Sequence, residues 1–452
     1  MRMLPLALLL LATSRPAFGQ ASHRSPLDAL VAEGLAANPA LRARSLAVTR
    51  DDAAIEEARG RFLPSLTANA RASHLSGATQ NLGALINPAY AALNQLLGQA
   101  VFPTNINLTL PQKQEATLRL AQPLFEPRVL QGYRIARSVR DASAADRDAQ
   151  RRQLAADIQT SYLQYARASR AAELYDQTVP LLDETRRVSE RLLSAGKVTP
   201  DNVLRARAEQ SAVVQQRDAA HQLADAARQQ LNYLSGRPLD APLLLFADSL
   251  LGFDARFIAR EDVAAAQASA QARREELVQL DRSSDALQGQ RRLARAAYLP
   301  SVNVAVDYGF QGNTIRVNRD RDFTVASVVM SWNLFNGGQD RARVQQAAID
   351  VQQLKARRDD ASRSIALQVR VSHDAAAVAR TGITTATERQ NTATRTFELV
   401  QRRYSEGLAT QLELLDARTA LTTAQLNRLI TTYDFYQRVV EYERAAALSS
   451  LE

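Results

Sequence analysis

Two stretches of the sequence decide the fold: residues 402–418 read RRYSEGLATQLELLDAR, and residues 191–207 read RLLSAGKVTPDNVLRAR. In each stretch a long helical pattern stops at a glycine, Gly407 or Gly196, and a second helical pattern begins a few residues later. Glycine readily takes the left-handed backbone conformation that ends a helix, and the threonine that follows in both stretches is a suitable cap for the next one. The two stretches predict two helical hairpins with matching tips, and therefore a duplicated chain.

The duplication extends along most of the chain. A Leu-Pro-Ser triplet precedes a strand pattern at Leu63 and again at Leu299, and a Leu-Phe pair precedes a long helical pattern at Leu124 and again at Leu334. From the phenylalanine of that pair to the tip glycine is 71 positions in the first copy and 72 in the second. A helix of this size is about 100 Å long, which exceeds an ordinary globular domain.

Each copy therefore predicts a helix, a pair of strands and a long helical hairpin with a coiled-coil seam. We expect a first repeat over residues 20–235, with strands near 63–124 and a tip near 196. A second repeat is expected over residues 261–448, with strands at 299–334 and a tip near 407. Residues 236–260 begin with glycine and two nearby prolines and are predicted to be a linker.

The composition excludes several classes of function. The chain has 452 residues, 23% of them charged, a net charge of +9 and no cysteine, which rules out disulfides and thiolate metal sites. Arginines are scattered among acidic residues rather than clustered with aromatics, which argues against nucleic acid as a partner. The four histidines lack ligand spacing, and no nucleophile or phosphate-binding motif occurs. We therefore expect neither an enzyme nor a bound metal or cofactor.

The first 19 residues have the pattern of a secretory signal peptide. Arg2 provides the positive charge, residues 4–12 are an apolar run, and Ala17-Phe18-Gly19 is typical of a cleavage site. The apolar run is too short to span a bilayer. We expect the mature chain to be exported from the cytoplasm.

The strands of the second repeat alternate apolar and polar residues. Their apolar members are Val302, Val304, Val306, Tyr308, Val328, Met330 and Trp332. Short strands with one apolar face are typical of membrane β-barrels, so we expect these side chains to face lipid. Four strands per chain are too few to close a barrel, which takes about eight or more. Such a barrel must be shared between subunits.

The order of these segments resembles the TolC family of outer-membrane efflux and secretion proteins. The resemblance covers nearly the whole mature chain and rests on the paired Leu-Pro-Ser and Leu-Phe segments and on the tips SAGKVTPDNVL and SEGLATQLELLDA. It implies a mainly α-helical homotrimer with a small β part: a shared twelve-stranded barrel in the outer membrane and a helical tunnel in the periplasm. It also implies a passive exit duct that works with a periplasmic adaptor and an inner-membrane pump.

The resemblance implies a gate at the periplasmic end of the tunnel. Glu413 and Asp416 match acidic positions that line the constriction in the family, where a trimer would gather six carboxylates. The alternative is an ordinary solvated helix start, where acidic residues suit the helix dipole. Tyr404 matches a tyrosine that holds the gate closed, with Asp201 or Asn202 as partners across the subunit boundary; the alternative is a packing aromatic.

Two further features of the tips bear on the gate and on docking. Many family members carry arginine where this chain has Ala409, so part of the usual latch is missing. The gate is then either held more weakly or held by Arg402, Arg403 or Lys197 instead. The resemblance also assigns adaptor docking to the exposed tips, whose residues are Gly196, Lys197, Gly407 and Leu408.

The first strand pair carries an insertion. It spans 61 positions from Leu63 to Leu124, against 35 from Leu299 to Leu334, a difference of 26. The extra residues lie between Ser73 and Glu115 and contain an amphipathic patch, residues 87–97. We expect an extracellular loop, in which the patch either folds over the barrel mouth against its symmetry mates or packs against its own subunit.

A different class of function stays open at this point. A periplasmic coiled-coil adaptor or scaffold protein would also have a signal peptide and long helical hairpins. An adaptor normally has one hairpin flanked by small β domains, whereas this sequence predicts two hairpins and strands with apolar outer faces.

Overall fold

A computed structural model describes residues 26–74, 80–106, 109–110, 114–312 and 322–448. The predicted signal peptide lies outside these residues. Tertiary contacts divide the chain into two compact units. The helical unit comprises the described residues of Met1–Leu41, Arg151–Ala270 and Leu367–Glu452, and the sheet unit comprises those of Arg42–Gln150 and Gln271–Ala366.

The chain is mainly helical with a small antiparallel sheet, as predicted. The helices are α1 Pro26–Ala37, α2 Pro39–Gly60, α3 Gly83–Leu97, α4 Pro127–Ser194, α5 Pro200–Leu234, α6 Phe253–Ile258, α7 Val263–Arg273, α8 Glu275–Arg295, α9 Gln339–Ser405 and α10 Gln411–Ala445. The strands are β1 Ser65–Ala72, β2 Gln80–Asn81, β3 Thr109–Leu110, β4 Gln114–Phe125, β5 Ser301–Gly312 and β6 Asp322–Ser331. The sheet has the order β1-β4-β5-β6, and β2 pairs with β3 separately.

The internal duplication is confirmed by the lengths of the helices. The ascending helices α4 and α9 have 68 and 67 residues, and the returning helices α5 and α10 have 35 each. Each pair forms a hairpin whose turn contains a left-handed glycine, Gly196 with φ +67° and Gly407 with φ +76°. At both turns the residue after the glycine donates its N–H to a carbonyl five residues earlier, Lys197 to Leu192 at 2.9 Å and Leu408 to Arg403 at 2.7 Å. This hydrogen bond is the Schellman closure that glycine permits.

The core of the helical unit lies where α4, α5, α6 and α10 meet. Its fully buried side chains include large aromatic and aliphatic residues, namely Ile158, Tyr162, Leu163, Leu231, Phe253, Phe257, Tyr433, Phe435, Val439 and Tyr442. Aromatic side chains contribute more buried area per residue than any others. Through Phe253 and Phe257 of α6, this core also holds the segment that follows the first hairpin.

The segment predicted as a linker is more ordered than expected. Residues 248–250 form a 3-10 turn, and α6 buries Phe253 and Phe257 beside α10. These phenylalanines are four positions apart and thus share one helical face. The sequence did not indicate this short amphipathic helix because the glycine and prolines at the start of the segment are typical of a linker.

Two other boundaries differ from the sequence prediction. The helix predicted to open the second repeat is broken at Arg274, whose ψ of 121° is extended and separates α7 from α8. The strand expected to reach Leu334 ends at Ser331, and Trp332 lies just beyond it. The indole Nε1–H of Trp332 donates to the carbonyl of Tyr298 at 3.1 Å, which draws the side chain to the end of the preceding helical segment.

Candidate functional site

The sheet has one apolar face that continues through all four strands. Val304 lies opposite Val328, Val306 opposite Leu120, and Leu120 in turn opposite Leu66. Directly paired residues point to the same side of a sheet. The predicted lipid-facing residues Val302, Val304, Val306, Tyr308, Val328 and Met330 all belong to this face, which we call the apolar sheet face. That it meets lipid stays a prediction.

The opposite face of the sheet is polar. Arg119 of β4 lies 3.6 Å from Asp307 of β5, and Arg71 of β1 lies 3.0 Å from Glu115 of β4. Because successive strand residues alternate between faces, these ion pairs point away from the apolar sheet face. A sheet that is polar on one side and apolar on the other can separate a water-filled lumen from lipid.

At the second hairpin tip, Glu413 closes the N-terminus of α10. The hydroxyl of Thr410 accepts a hydrogen bond from the Glu413 N–H at 3.2 Å, and the Glu413 carboxylate accepts one from the Thr410 N–H at 2.6 Å. This reciprocal pair is a capping box. The N–H and hydroxyl of Thr410, with a smaller contribution from the nearby Arg403, lower the pKa of Glu413 below its ordinary value. The carboxylate therefore stays charged into mild acid.

Asp416 lies one turn further along α10, on the same side as Glu413. Both acids are exposed, whereas Leu414, Leu415 and Ala417 between and beside them are buried. Among the described residues none forms an ion pair with Asp416. The pair of carboxylates is thus presented together on the solvent side of the helix.

The first tip places Asp201 and Asn202 at the start of α5. The Asp201 carboxylate accepts a hydrogen bond from the Thr199 hydroxyl and lies 3.8 Å from Arg205. Tyr404 is half-buried in the second tip, and within the described part of this chain its hydroxyl is not hydrogen-bonded to Asp201 or Asn202. The hydrogen bond expected between subunits stays a prediction.

The tip turns themselves are exposed. Gly196, Lys197, Gly407 and Leu408 are all open to solvent, and 65% of Leu408 is accessible. Arg403, one of the residues considered as a substitute for the missing latch arginine, donates from its guanidinium to the Leu408 carbonyl at 3.1 Å. It therefore supports its own turn.

Gln411 joins the two tips, and the sequence analysis missed it. Its side chain is buried, and its Nε2 amide donates to the Ser189 hydroxyl oxygen at 2.9 Å and to the Asn202 carbonyl at 3.0 Å. One amide thus connects α10 with both arms of the first hairpin. The contacts span more than 200 positions of sequence, so no local pattern could have indicated them.

Behind Gln411 the hairpins are held by apolar packing. Leu182 of α4, Val213 of α5 and Leu415 of α10 form a buried cluster. On its rim the Thr419 hydroxyl donates to the Glu209 carboxylate at 2.9 Å. Burial lowers the pKa of Arg418, whose guanidinium stacks 5.0 Å from the ring centre of Phe397.

Replacing Gln411 with alanine is expected to loosen the connection between the tips. The change leaves the buried Ser189 hydroxyl and the partly buried Asn202 carbonyl short of a donor, which costs about 1–3 kcal/mol. We expect faster amide hydrogen exchange in residues 196–204 and 407–415. Gln401→Ala, an exposed glutamine on α9, is the control, and equal exchange in the two variants would contradict the assignment.

No helix among the described residues is both long enough and apolar enough to cross a bilayer. Within the same residues, histidine, aspartate and glutamate side chains do not gather in groups of three or more that would hold a metal ion.

Solved structures with a similar fold include outer-membrane channels and an outer membrane protein. The chain superposes on the CmeC outer membrane channel of Campylobacter jejuni with a TM-score of 0.73 at 15% identity, covering 93% of this chain and 85% of that one. For VceC of Vibrio cholerae the TM-score is 0.72 at 17% identity, covering 94% of this chain and 97% of that one. For the open MtrE channel of Neisseria gonorrhoeae the TM-score is 0.70 at 18% identity, covering 93% of this chain and 88% of that one. At such identities the likeness establishes the fold, which is that of an outer-membrane channel.

The family follows from the sequence itself. The family model described as outer membrane efflux protein matches residues 30–237 and 262–447. The chain therefore belongs to the outer membrane efflux protein family, and the resemblance to the TolC family is confirmed. Curated protein sequences give no significant match. The two matched ranges correspond to the two copies of the duplication.

Proposed function

We propose that the protein is the outer-membrane exit duct of a tripartite efflux or type I secretion system, a passive homotrimeric conduit gated at its periplasmic end. In this proposal the sheet of each subunit contributes four strands to a twelve-stranded barrel in the outer membrane. The helical hairpins form a periplasmic tunnel that meets an adaptor at its tips, and an inner-membrane pump supplies the energy. The duct carries out no reaction.

The observation that carries the proposal is a two-faced sheet with open edges. Among the described residues, β1 pairs only with β4 and β6 only with β5, so both outer edges of the sheet lack a partner. An unpaired edge inside a bilayer leaves polar backbone groups unsatisfied. Pairing β6 of one copy with β1 of the next satisfies both edges, and three copies then close a barrel.

The two hairpins of the chain support a channel over an adaptor. The described residues contain both α4–α5 and α9–α10, with nearly equal lengths. Two hairpins per chain give twelve helices in a trimer, enough to enclose a tunnel. An adaptor with one hairpin does not account for the second copy or for the apolar sheet face.

The trimer and its conductance can be tested together. Protein extracted from outer membranes is expected to migrate as a trimer on gels when unheated and as a monomer after boiling. In planar bilayers the same preparation should form channels. A monomer that yields no channels would contradict the proposal.

The gate hypothesis is tested by removing the charges of Glu413 and Asp416. In a trimer these residues would place six carboxylates around one axis, an arrangement that favours cations. Glu413→Gln combined with Asp416→Asn is expected to weaken block of single channels by divalent cations several-fold. Glutamine is chosen at position 413 because it can retain the capping box.

The control for this pair is Glu406→Gln, which removes an exposed carboxylate from the same tip. If the double variant is blocked like the unchanged protein, these residues do not line the constriction.

A further inference from the structure

Residues 80–106, the continuously described part of the insertion between β1 and β4, form a small folded module. The Asn87 side chain donates to the Ile106 carbonyl at 2.9 Å and accepts from its N–H at 2.8 Å, and Asn94 makes the same pair with Phe102 at 2.7 and 2.8 Å. The rings of Tyr90 and Phe102 pack with centroids 5.2 Å apart. These contacts fasten one face of α3 to the returning segment 101–106.

Another face of α3 is left uncovered by the residues that the structure describes. Leu85 is 75% exposed and Leu96 is 84% exposed. They belong to a continuous stripe whose members recur at helical spacing, which we call the α3 stripe: Leu85, Ala89, Ala92, Leu93 and Leu96. Two alanines at its centre allow a neighbouring helix to approach closely. A leucine stripe of this kind needs an apolar partner.

The insertion contains no formal charge up to residue 112. Between Arg71 and Lys113 there is no aspartate, glutamate, lysine or arginine, although the chain as a whole is 23% charged. By contrast, the connection between β5 and β6 includes three arginines and an aspartate within residues 313–321. A charge packed into a dry contact at a three-fold axis would face two copies of itself, which is unfavourable where water does not screen it. A neutral segment fits contact with its own symmetry mates.

The topology of the sheet places the insertion at the end of the sheet that lies away from the helices. In the sheet unit α2 leads into β1, β4 leads into α4, α8 precedes β5, and α9 follows β6. All four helices join one end of the sheet, and both strand connections lie at the other. In the proposed duct that other end faces the cell exterior.

The length of α3 matches the diameter of the proposed barrel. A twelve-stranded barrel with a strand spacing of about 4.8 Å and a tilt of about 40° has a backbone diameter of about 24 Å. A helix of 15 residues such as α3 is about 22 Å long. Three such helices are sufficient to cross the opening and meet near its axis.

We propose that the three α3 stripes of a trimer pack against one another over the extracellular mouth of the barrel and narrow the exit. The occupant of each stripe is thus a second copy of this chain. This inference rests on the proposed trimeric duct.

The absence of cysteine from the sequence allows a matched cross-linking test. Ala89→Cys places a thiol within the α3 stripe, and Ala91→Cys places one on an exposed side of the same helix outside it. In outer membranes treated with a short bismaleimide, Ala89→Cys is expected to give cross-linked dimers on denaturing gels, with at least a tenfold lower yield for Ala91→Cys. The same alanine-to-cysteine change on one helix keeps any effect on folding equal.

Other outcomes overturn the inference. Cross-linking that is equal or absent in both variants would mean that the stripes do not meet. Quenching of a fluorophore at position 89 by brominated lipid would identify the membrane surface as the occupant instead. Unheated gels of the unmodified protein separate this failure from failure of the duct itself: trimers without Ala89→Cys dimers refute only the contact between stripes.

Discussion

Replacing Glu443 with alanine is expected to destabilise the protein by about 3 kcal/mol, the low end of the range for breaking a buried ion pair, because it leaves two partly buried guanidinium groups without their shared carboxylate. Only 3% of the Glu443 side chain is accessible, and its carboxylate accepts hydrogen bonds from the guanidinium groups of Arg256 and Arg260. Arg256 also lies 4.7 Å from the ring centre of Phe253. The carboxylate therefore joins the C-terminal end of α10 to Arg256 in α6 and to Arg260, which lies just after α6.

Glu441→Ala is the matched control for this prediction. Glu441 lies two positions earlier on α10, is half-exposed, and faces Arg438 at 3.6 Å. An exposed ion pair of this kind contributes about 0–1 kcal/mol. Denaturant midpoints of the two variants in detergent, with the unchanged protein as reference, measure the difference. Equal midpoints for Glu441→Ala and Glu443→Ala would show that the buried cluster is not required for stability.

An arginine on the apolar sheet face is expected to impair insertion into the outer membrane. Val304 and Val328 lie opposite each other on β5 and β6. A charged side chain that faces lipid near the bilayer midplane costs about 2–4 kcal/mol in a membrane barrel. Val304→Arg and Val328→Arg should each reduce the yield of trimers in the outer membrane severalfold.

The adjacent residue provides the control. Val329 lies opposite Asn303 on the polar side of the sheet and is 48% exposed. Val329→Arg introduces the same side chain at nearly the same depth but towards the lumen, where charges are tolerated. We expect near-normal trimer yield from it. If Val328→Arg and Val329→Arg assemble equally well, the apolar sheet face does not meet lipid.

The local features of the fold could be predicted from the sequence. Gly196 and Gly407 indicated the turns because glycine itself readily adopts the left-handed backbone conformation that ends a helix. Thr410 indicated the start of α10 because threonine is a preferred cap at a helix N-terminus. Alternation over Val302, Val304 and Val306 revealed a two-faced strand because its period is two. Each of these predictions depends on residues within one or two helical turns of each other.

What the sequence did not reveal depends on distant partners. Gln411 contacts Ser189 across 222 positions, and Glu443 contacts Arg256 across 187. In a linear reading, Gln411 is an ordinary helix residue beside a cap, and Glu443 is one acid among several on α10. Their roles arise only when the hairpins and α6 are packed. The functional assignments of Glu413 and Asp416 depend in the same way on neighbouring subunits.

The equal lengths of the paired helices have a consequence for how such a gene can change. Helices α5 and α10 have 35 residues each, and α4 and α9 differ by one residue. Deleting one codon within any of these helices would rotate the rest of that helix by about 100° and shift it by about 1.5 Å. The seam residues would then face the wrong way along the rest of the helix. Lineages of this gene should therefore show insertions and deletions at the strand connections, as between Ser73 and Glu115, and in the helices only as compensating changes inherited by both halves.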